Sequence, residues 1–181
     1  MNFFEMLVLS QKLSFSDGRV TFYGQDILIF PVLSIMGYID LIGNSTESTK
    51  EVYYMVKESM LENKQNLKKA YKPSDGVNWI YNTLNLYGLG KVSFGTSTIP
   101  PTGEIFVENS PFANGLNGKV NAPIDHILRG IIAGMVSAIF DNDYDVIEVE
   151  CCVIGSNRCK LILDSKENLS KNFPSFCKNQ V

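Results

Sequence analysis

The sequence predicts an α+β fold, mixed α/β in content, with helices packed on one antiparallel sheet of about four strands and an N-terminal β-hairpin beside them. Three observations predict it. Apolar residues recur at helical spacing through residues 30–90, the pattern switches to strand-like alternation from residue 91, and one strongly apolar helix at 123–140 interrupts the strands before they resume. The 181 residues, 45% hydrophobic and 19% charged, suit a single domain over 1–181 with a sizeable core. Within it we distinguish a hairpin at 13–22, a helical part at 30–90, a sheet with its buried helix at 91–165, and a polar tail at 166–181.

The hairpin rests on Asp17-Gly18, which supplies the two positive-φ positions of a tight turn. Counting outward, Phe15 faces Val20 and Leu13 faces Phe22 on one apolar side, while Ser14 and Thr21 share the wet side. Over 30–43, Val32, Leu33, Met36, Ile39 and Leu41 follow Pro31 at helical spacing, and Gly43-Asn44 supplies a stop. Over 48–71, Val52, Val56, Met60 and Leu67 lie near one face, and Glu51, Lys57, Glu58, Lys64 and Lys68 lie elsewhere. This predicts an amphipathic helix of about six turns with a solvated charged face. Pro73-Ser-Asp75 opens a third helical stretch through Trp79, Ile80, Leu84 and Tyr87, closed by Gly88-Leu-Gly90.

Val92-Ser-Phe94-Gly-Thr96 and Glu104-Ile-Phe-Val-Glu108 alternate like two antiparallel strands joined by a Pro-rich connection. A polar loop, 109–121, precedes the helix at 123–140. Two further strands, 145–153 and 159–163, enclose Ile154-Gly-Ser-Asn157, and 164–181 reads as a short helix with a loose tail. There is no internal repeat, low-complexity tract or interdomain linker.

Composition excludes several classes of function. Sixteen Lys and Arg against nineteen Asp and Glu give a net charge of -3, without the basic excess of a nonspecific nucleic-acid binder. The longest apolar stretch without charge, 27–39, is interrupted by Pro31 and falls short of the roughly 20 residues of a membrane-spanning helix. Met1-Asn-Phe-Phe-Glu5 is acidic where a secretory leader is basic, so we expect a cytoplasmic protein. The cysteines, Cys151, Cys152, Cys159 and Cys177, cluster late in the chain instead of forming a distributed disulfide framework.

Chemistry can live in two places. Projected at about 100° per residue, helix 123–140 has only Asp125 and Arg129 on a clearly polar wedge and is expected to be buried nearly all round. Its small-residue face, from His126 through Gly130, Ala133, Gly134 and Ser137, lets either a backbone or a ligand approach closely. In the second place, a hairpin centred on Gly155 sets Cys151 opposite Cys159, Val149 opposite Leu161, Ile147 opposite Leu163 and Glu150 opposite Lys160. The two thiols can bind a soft or borderline cation such as zinc, form a cross-strand disulfide, or simply be buried.

The stretch from position 123 to 163 carries a recognisable pattern. Pro123-x-Asp125 is followed five residues on by Gly130-x-x-x-Gly134, and then by Glu148-x-x-Cys151-x-x-x-Gly155-x-x-x-Cys159. It resembles the 4-vinyl reductase domain family, a small-molecule-binding module found alone and as the sensor of phenol-responsive bacterial activators. Phe106-Val-Glu-Asn-Ser-Pro-Phe112 is similar to the strand and loop that precede the family's helix. The resemblance implies a fold shared with the core subunits of the transport protein particle and with the haem nitric-oxide sensor domain. It also implies homodimers paired through helices and a zinc site beside a closed apolar pocket. Glu148, Cys151 and Cys159 match the family's zinc ligands; its first cysteine is replaced by Asp125. The fourth ligand is then either Asp125, matched by register, or its neighbour His126. Asp125 also has an alternative role as an i,i+4 ion-pair partner of Arg129. Because Glu148 and Cys151 are three apart, a regular strand points them to opposite faces; they meet only through a bulge near Val149-Glu150.

We therefore expect a binding module for a small hydrophobic molecule, aromatic or hydrocarbon-like, with zinc as a structural clamp. Trp79, Phe106, Phe112, Gly130, Gly134 and Met135 are its expected ligand contacts, with Tyr87 and Phe94 as further lining groups. A signalling role requires a protein partner. One alternative is an enzyme, a reductase of a vinyl or tetrapyrrole-like substrate or a metal-dependent hydrolase, yet no Gly-x-Gly-x-x-Gly or phosphate loop is present and His126 is the single histidine. A second alternative is an interaction subunit without a ligand.

Overall fold

Leu13–Ser16 (β1) and Arg19–Phe22 (β2) pair antiparallel with Leu13 opposite Phe22, Ser14 opposite Thr21 and Phe15 opposite Val20, the register that the turn residues predict. The computed structural model describes residues 3–16, 19–22, 25–27, 35, 45–75, 78–95, 101–116 and 123–181. Asp17 and Gly18 therefore lie outside the described residues, as does the helix expected over 30–43 apart from Ile35. Leu13 and Phe22 bury with Leu7 of the helix Phe3–Leu9 (α1), and Ser14 Oγ and Thr21 Oγ1 share a 2.7 Å hydrogen bond on the wet face. A third strand, Gln25–Ile27 (β3), pairs with β2 and extends the hairpin beyond the two strands expected.

The single helix expected over 48–71 is two helices, Thr46–Glu62 (α2) and Lys64–Ala70 (α3), parted at Asn63. Asn side chains compete with the backbone for hydrogen bonds, and here Asn63 Oδ1 accepts from Asn66 Nδ2 at 2.8 Å. Ser45 caps α2 by accepting from the Ser48 N–H at 3.1 Å. Val52, Tyr53 and Leu67 are buried. Glu51, Glu58 and Lys68 are exposed as expected, but Lys57 is not on a solvated face: it is buried, with Nζ 2.7 Å from both Asp143 and Asp145. Burial is the largest effect on its ammonium and works to lower its pKa, but the two aspartates outweigh burial and leave it above the ordinary lysine value.

After a short 3-10 turn at Pro73–Asp75, Asn78–Leu86 (α4) buries Ile80, Thr83 and Leu84 and closes at Gly88 and Gly90, both at positive φ. Lys91–Phe94 (β4) and Gly103–Glu108 (β5) then pair antiparallel. The stretch 109–121, expected to be a loop, contains the short helix Pro111–Leu116 (α5), which Phe112 and Ala113 anchor in the core. The apolar helix starts at His126 instead of Pro123 and runs His126–Phe140 (α6). It is followed by Tyr144–Glu150 (β6), Cys159–Ser165 (β7), Lys166–Asn172 (α7) and Pro174–Gln180 (α8). The main sheet has the order β4-β5-β7-β6, with every pair antiparallel. Leu128, Ile132, Met135 and Val136 of α6 join Ile105, Val107, Leu161 and Leu163 of the sheet in one core.

The residues after 165 are not a loose tail. Leu169 and Cys177 bury against Ile147 on the far side of β6, with Phe173 and Phe176 packed around them, so four apolar residues in a polar run suffice to dock α7 and α8.

The small-residue face of α6 admits a backbone, that of α2. A Cβ added at Gly134 would sit 2.5 Å from Met60 Cβ and 2.6 Å from the Lys57 carbonyl oxygen, and one at Gly130 would sit 2.7 Å from the Tyr53 carbonyl oxygen. Gly134→Ala is accordingly expected to destabilise the fold by about 1–3 kcal/mol in urea denaturation, through overpacking of the α2–α6 contact. Lys57→Met strands Asp145 in the interior without its cation and is expected to cost about 3–5 kcal/mol. In the same denaturation experiment, Lys57→Met/Asp145→Leu should cost clearly less than the sum of its two single changes.

Candidate functional site

The site is built at the turn between the two central strands of the second hairpin. Residues Cys152–Ile154 form a 3-10 turn, Gly155 takes the left-handed conformation at φ 101°, and the N–H groups of Ile154 and Ser156 both donate to the Cys151 carbonyl at 3.2 Å. This tight turn returns the chain so that Cys159 meets Cys151, Sγ to Sγ at 3.9 Å, with both thiols free and wholly buried. The Cys152 N–H donates to Cys159 Sγ at 3.3 Å.

The β6–β7 pairing corrects the expected register in its inner half. Glu150 lies opposite Lys160 as predicted, but Glu148 lies opposite Leu161, Ile147 opposite Ile162 and Val146 opposite Leu163. Val149 is an extra residue, a bulge, and it displaces every pair beyond it by one. Lys160 gives its ammonium to Glu104 at 2.6 Å. The bulge turns Glu148 inward, where it is wholly buried while Glu150 is exposed. Glu148, Cys151 and Cys159 thus offer one ligand atom each within 4.8 Å of one another.

Asp125 joins this group from the start of α6. It is wholly buried, its N–H donates to Glu148 Oε2 at 3.1 Å, and its Oδ1 accepts from Ser110 Oγ at 2.7 Å. One oxygen of each carboxylate, Asp125 Oδ2 and Glu148 Oε1, has no hydrogen-bond partner. Burial raises the Asp125 carboxyl above its ordinary range against opposing hydrogen bonds from Ser110 and Cys159. Burial also pushes Glu148 well up, assisted by the Asp125 charge and by Cys151. The hydrogen bond from Cys159 draws the Cys151 thiol down to about 6, and the same bond, with burial, drives Cys159 up. Two carboxylates and two thiols packed out of water thus share too few protons and too few donors, an arrangement that a bound cation relieves.

The other residues of helix 123–140 stand apart from this group. His126 is buried with neither ring nitrogen hydrogen-bonded, and burial, then the Arg129 charge, pulls it down to about 4. Asp125 is therefore the one of the two fourth-ligand candidates in hydrogen-bond contact with the cluster. Arg129 does not bridge to Asp125. Its Nη1 donates to the carbonyls of Val146 at 3.2 Å and Gln180 at 3.3 Å, and its guanidinium lies 5.0 Å from the Tyr53 ring. Burial pushes Arg129 below its ordinary range, with Glu148 the strongest group opposing that shift.

The expected ligand contacts are dispersed. Phe112 and Met135 are core residues, Trp79 packs edge-on against Tyr71 at 5.3 Å, and the Arg158 guanidinium covers the Phe106 ring at 3.7 Å. Gly130 and Gly134 face α2. Two clefts are described: one of about 470 Å³ between Tyr54, Lys57, Ser137 and Asp143, and one of about 640 Å³ around Gly155 and Arg158. None of the six residues lines either cleft. Sequence reasoning missed Ser110 and Gln180. The first had a local signal, a Ser-Pro step before a helix; the second had none.

The family model of the 4-vinyl reductase domain matches residues 104–164, from β5 through β7, and the chain carries that domain there, including every member of the cluster. Among solved structures, the chain is similar to the phenol-responsive sensory domain of the transcription activator PoxR, solved with phenol, at TM-score 0.74 and 15% identity over 94% of each chain. It is similar to a vinyl-4-reductase family protein from Methanocaldococcus jannaschii at TM-score 0.54 and 20% identity, covering 77% of this chain and 83% of that one. It is also similar to trafficking protein particle complex subunit 3 from Naegleria fowleri, solved covalently bound to palmitic acid, at TM-score 0.52 and 11% identity over 74% and 89% of the two chains. These likenesses show a shared fold. No curated protein sequence matches the chain. Among the described residues, no helix is long and apolar enough to cross a membrane.

Arg129→Met removes the buried cation nearest these carboxylates and is expected to lower stability by about 3–5 kcal/mol at pH 7, read from thermal or urea unfolding.

Proposed function

We propose that the chain is a binding domain for a small hydrophobic molecule, aromatic or hydrocarbon-like, with a zinc ion as a structural clamp on the hairpin that carries the site. The observation that carries this reading is the convergence of Glu148, Cys151 and Cys159 within 4.8 Å inside the segment that matches the 4-vinyl reductase domain.

The donor set suits zinc: two thiols and two carboxylates are ligands of the kinds it takes, and each carboxylate keeps an oxygen with no hydrogen-bond partner. Asp125 is the favoured fourth ligand, with His126 the alternative. When bound, the ion would neutralise this buried acidic group and tie the β6–β7 hairpin to the start of α6. The ligand half of the reading draws on the family match and on the fold shared with a domain solved with phenol. Trp79, Phe112 and Met135, in or against the main core, are the lining groups we favour; Gly130 and Gly134 serve the α2 contact instead. A cytoplasmic sensing role, pairing as a homodimer through the helices and signalling through a protein partner belong to the same reading.

Native mass spectrometry with metal analysis tests it. One zinc per chain is expected, lost in Cys151→Ser and in Cys159→Ser, lost or weakened in Asp125→Ala and kept in His126→Leu. Chelation is expected to lower the unfolding temperature reversibly. Phenols, longer hydrocarbons and fatty acids should then be screened by thermal shift, where a binder at one hundred times its Kd adds about 2.7 kcal/mol to stability. Native protein without metal, with four free thiols or one disulfide, together with no shift from any of these compounds, would overturn the proposal.

A further inference from the structure

β6 is an edge strand of the main sheet, so one side of its backbone has no strand neighbour. Edge peptides ordinarily give their N–H and C=O groups to water. At Glu148 a single side chain takes both: Gln180 Oε1 accepts the Glu148 N–H at 2.8 Å, and Gln180 Nε2 donates to the Glu148 carbonyl at 2.8 Å. The Gln180 amide thus stands in for a neighbouring strand at one residue only. Gln180 is itself buried and held from behind, because its own carbonyl accepts from Arg129 Nη1 at 3.3 Å and α8 is seated on β6 through Cys177 and Ile147.

The residue so clamped is the one whose setting the cluster depends on. Glu148 directly precedes the bulge at Val149, where an unsupported strand can twist or return to regular pairing, and regular pairing would swing the carboxylate away from the thiols. The Glu148 side chain is fixed at its other end by the Asp125 N–H at 3.1 Å. We propose that Gln180 is a positioning residue for the metal site, its amide locking the Glu148 peptide in the orientation that presents the carboxylate to Cys151 and Cys159. This rests on the zinc reading above.

The test compares the full chain with Gln180→Met, which keeps the volume and loses both hydrogen bonds, and with Leu169→Ala, which loosens the same α7–α8 packing but leaves the amide in place. Zinc affinity is read by competition with a chromogenic chelator, stability by urea unfolding, and ligand identity by the spectrum of the cobalt-substituted protein. Gln180→Met is expected to lose about 10–100-fold in zinc affinity, the usual effect of removing a group that orients a metal ligand. Its sulfur-to-cobalt charge-transfer band should persist while the ligand-field bands shift as the carboxylate is lost. Leu169→Ala should lose stability with affinity held within about twofold. If Gln180→Met does not fold, Gln180→Glu, which keeps the acceptor and drops the donor, carries the same comparison. A Gln180 variant that binds zinc as the native chain does, or a Leu169→Ala loss of equal size, overturns the positioning role and leaves the metal reading standing. A native chain that takes up no zinc in the same titration removes both.

Discussion

The structure is organised around the need to bury an edge strand without leaving its backbone unsatisfied. Residues Tyr144 to Glu148 of β6 are all buried, yet only β7 pairs with them. Each outward peptide group with no strand partner would cost a hydrogen bond's worth of desolvation. Side chains from three helices meet this demand in turn. Ser137 of α6 accepts from the Tyr144 N–H and donates to its carbonyl, Tyr53 of α2 accepts from the Val146 N–H, Arg129 of α6 donates to the Val146 carbonyl, and Gln180 of α8 takes both groups of Glu148. The polar residues of an otherwise apolar helix therefore have a purpose set by the sheet, and the three helices are tied to one strand by directional bonds as well as by packing.

That requirement also explains the buried charge. Tyr53 reaches Val146 only because α2 lies against the glycines of α6, and its hydroxyl then donates to Asp145 at 2.6 Å. An aspartate in that position needs a cation, which Lys57 supplies one helical turn along α2 from Tyr53. Tyr53, Asp145, Lys57 and Asp143 form one connected polar group inside the helix contact. Its cost is offset by the two close approaches at Gly130 and Gly134, which allow the helices to exclude water around it.

Much of this was legible in the sequence, and the failures have identifiable physical causes. Strand order along the chain, the first hairpin's register, the all-round burial of α6 and the meeting of Cys151 with Cys159 all follow from local rules of period and turn chemistry. The bulge was legible only as a condition, since a three-residue spacing between Glu148 and Cys151 demands one but does not say which residue is extra. Lys57 was misread because amphipathicity assigns a lysine to solvent unless its partner is known, and Asp143 and Asp145 lie more than eighty positions away. Gln180 was invisible for the same reason: a glutamine in a polar stretch carries no local sign that its amide will act as a strand. Asn63 broke a helix through side-chain competition that a hydrophobic pattern does not register.

Edge satisfaction and cluster geometry meet at Glu148. Its peptide belongs to the first requirement and its carboxylate to the second, and the bulge at Val149 is what lets one residue serve both. In a regular strand with the same outward peptide, the side chain would fall on the face opposite Cys151. With the extra residue, the peptide still points to α8 while the carboxylate turns toward Asp125 and the thiols. Any displacement of α8 along β6 is then felt at the cluster through one amide, and any change in the cluster's charge is felt by Arg129, which holds the Gln180 carbonyl. The acidic group and the C-terminal helices are two ends of one hydrogen-bonded chain, short enough that neither can rearrange without the other.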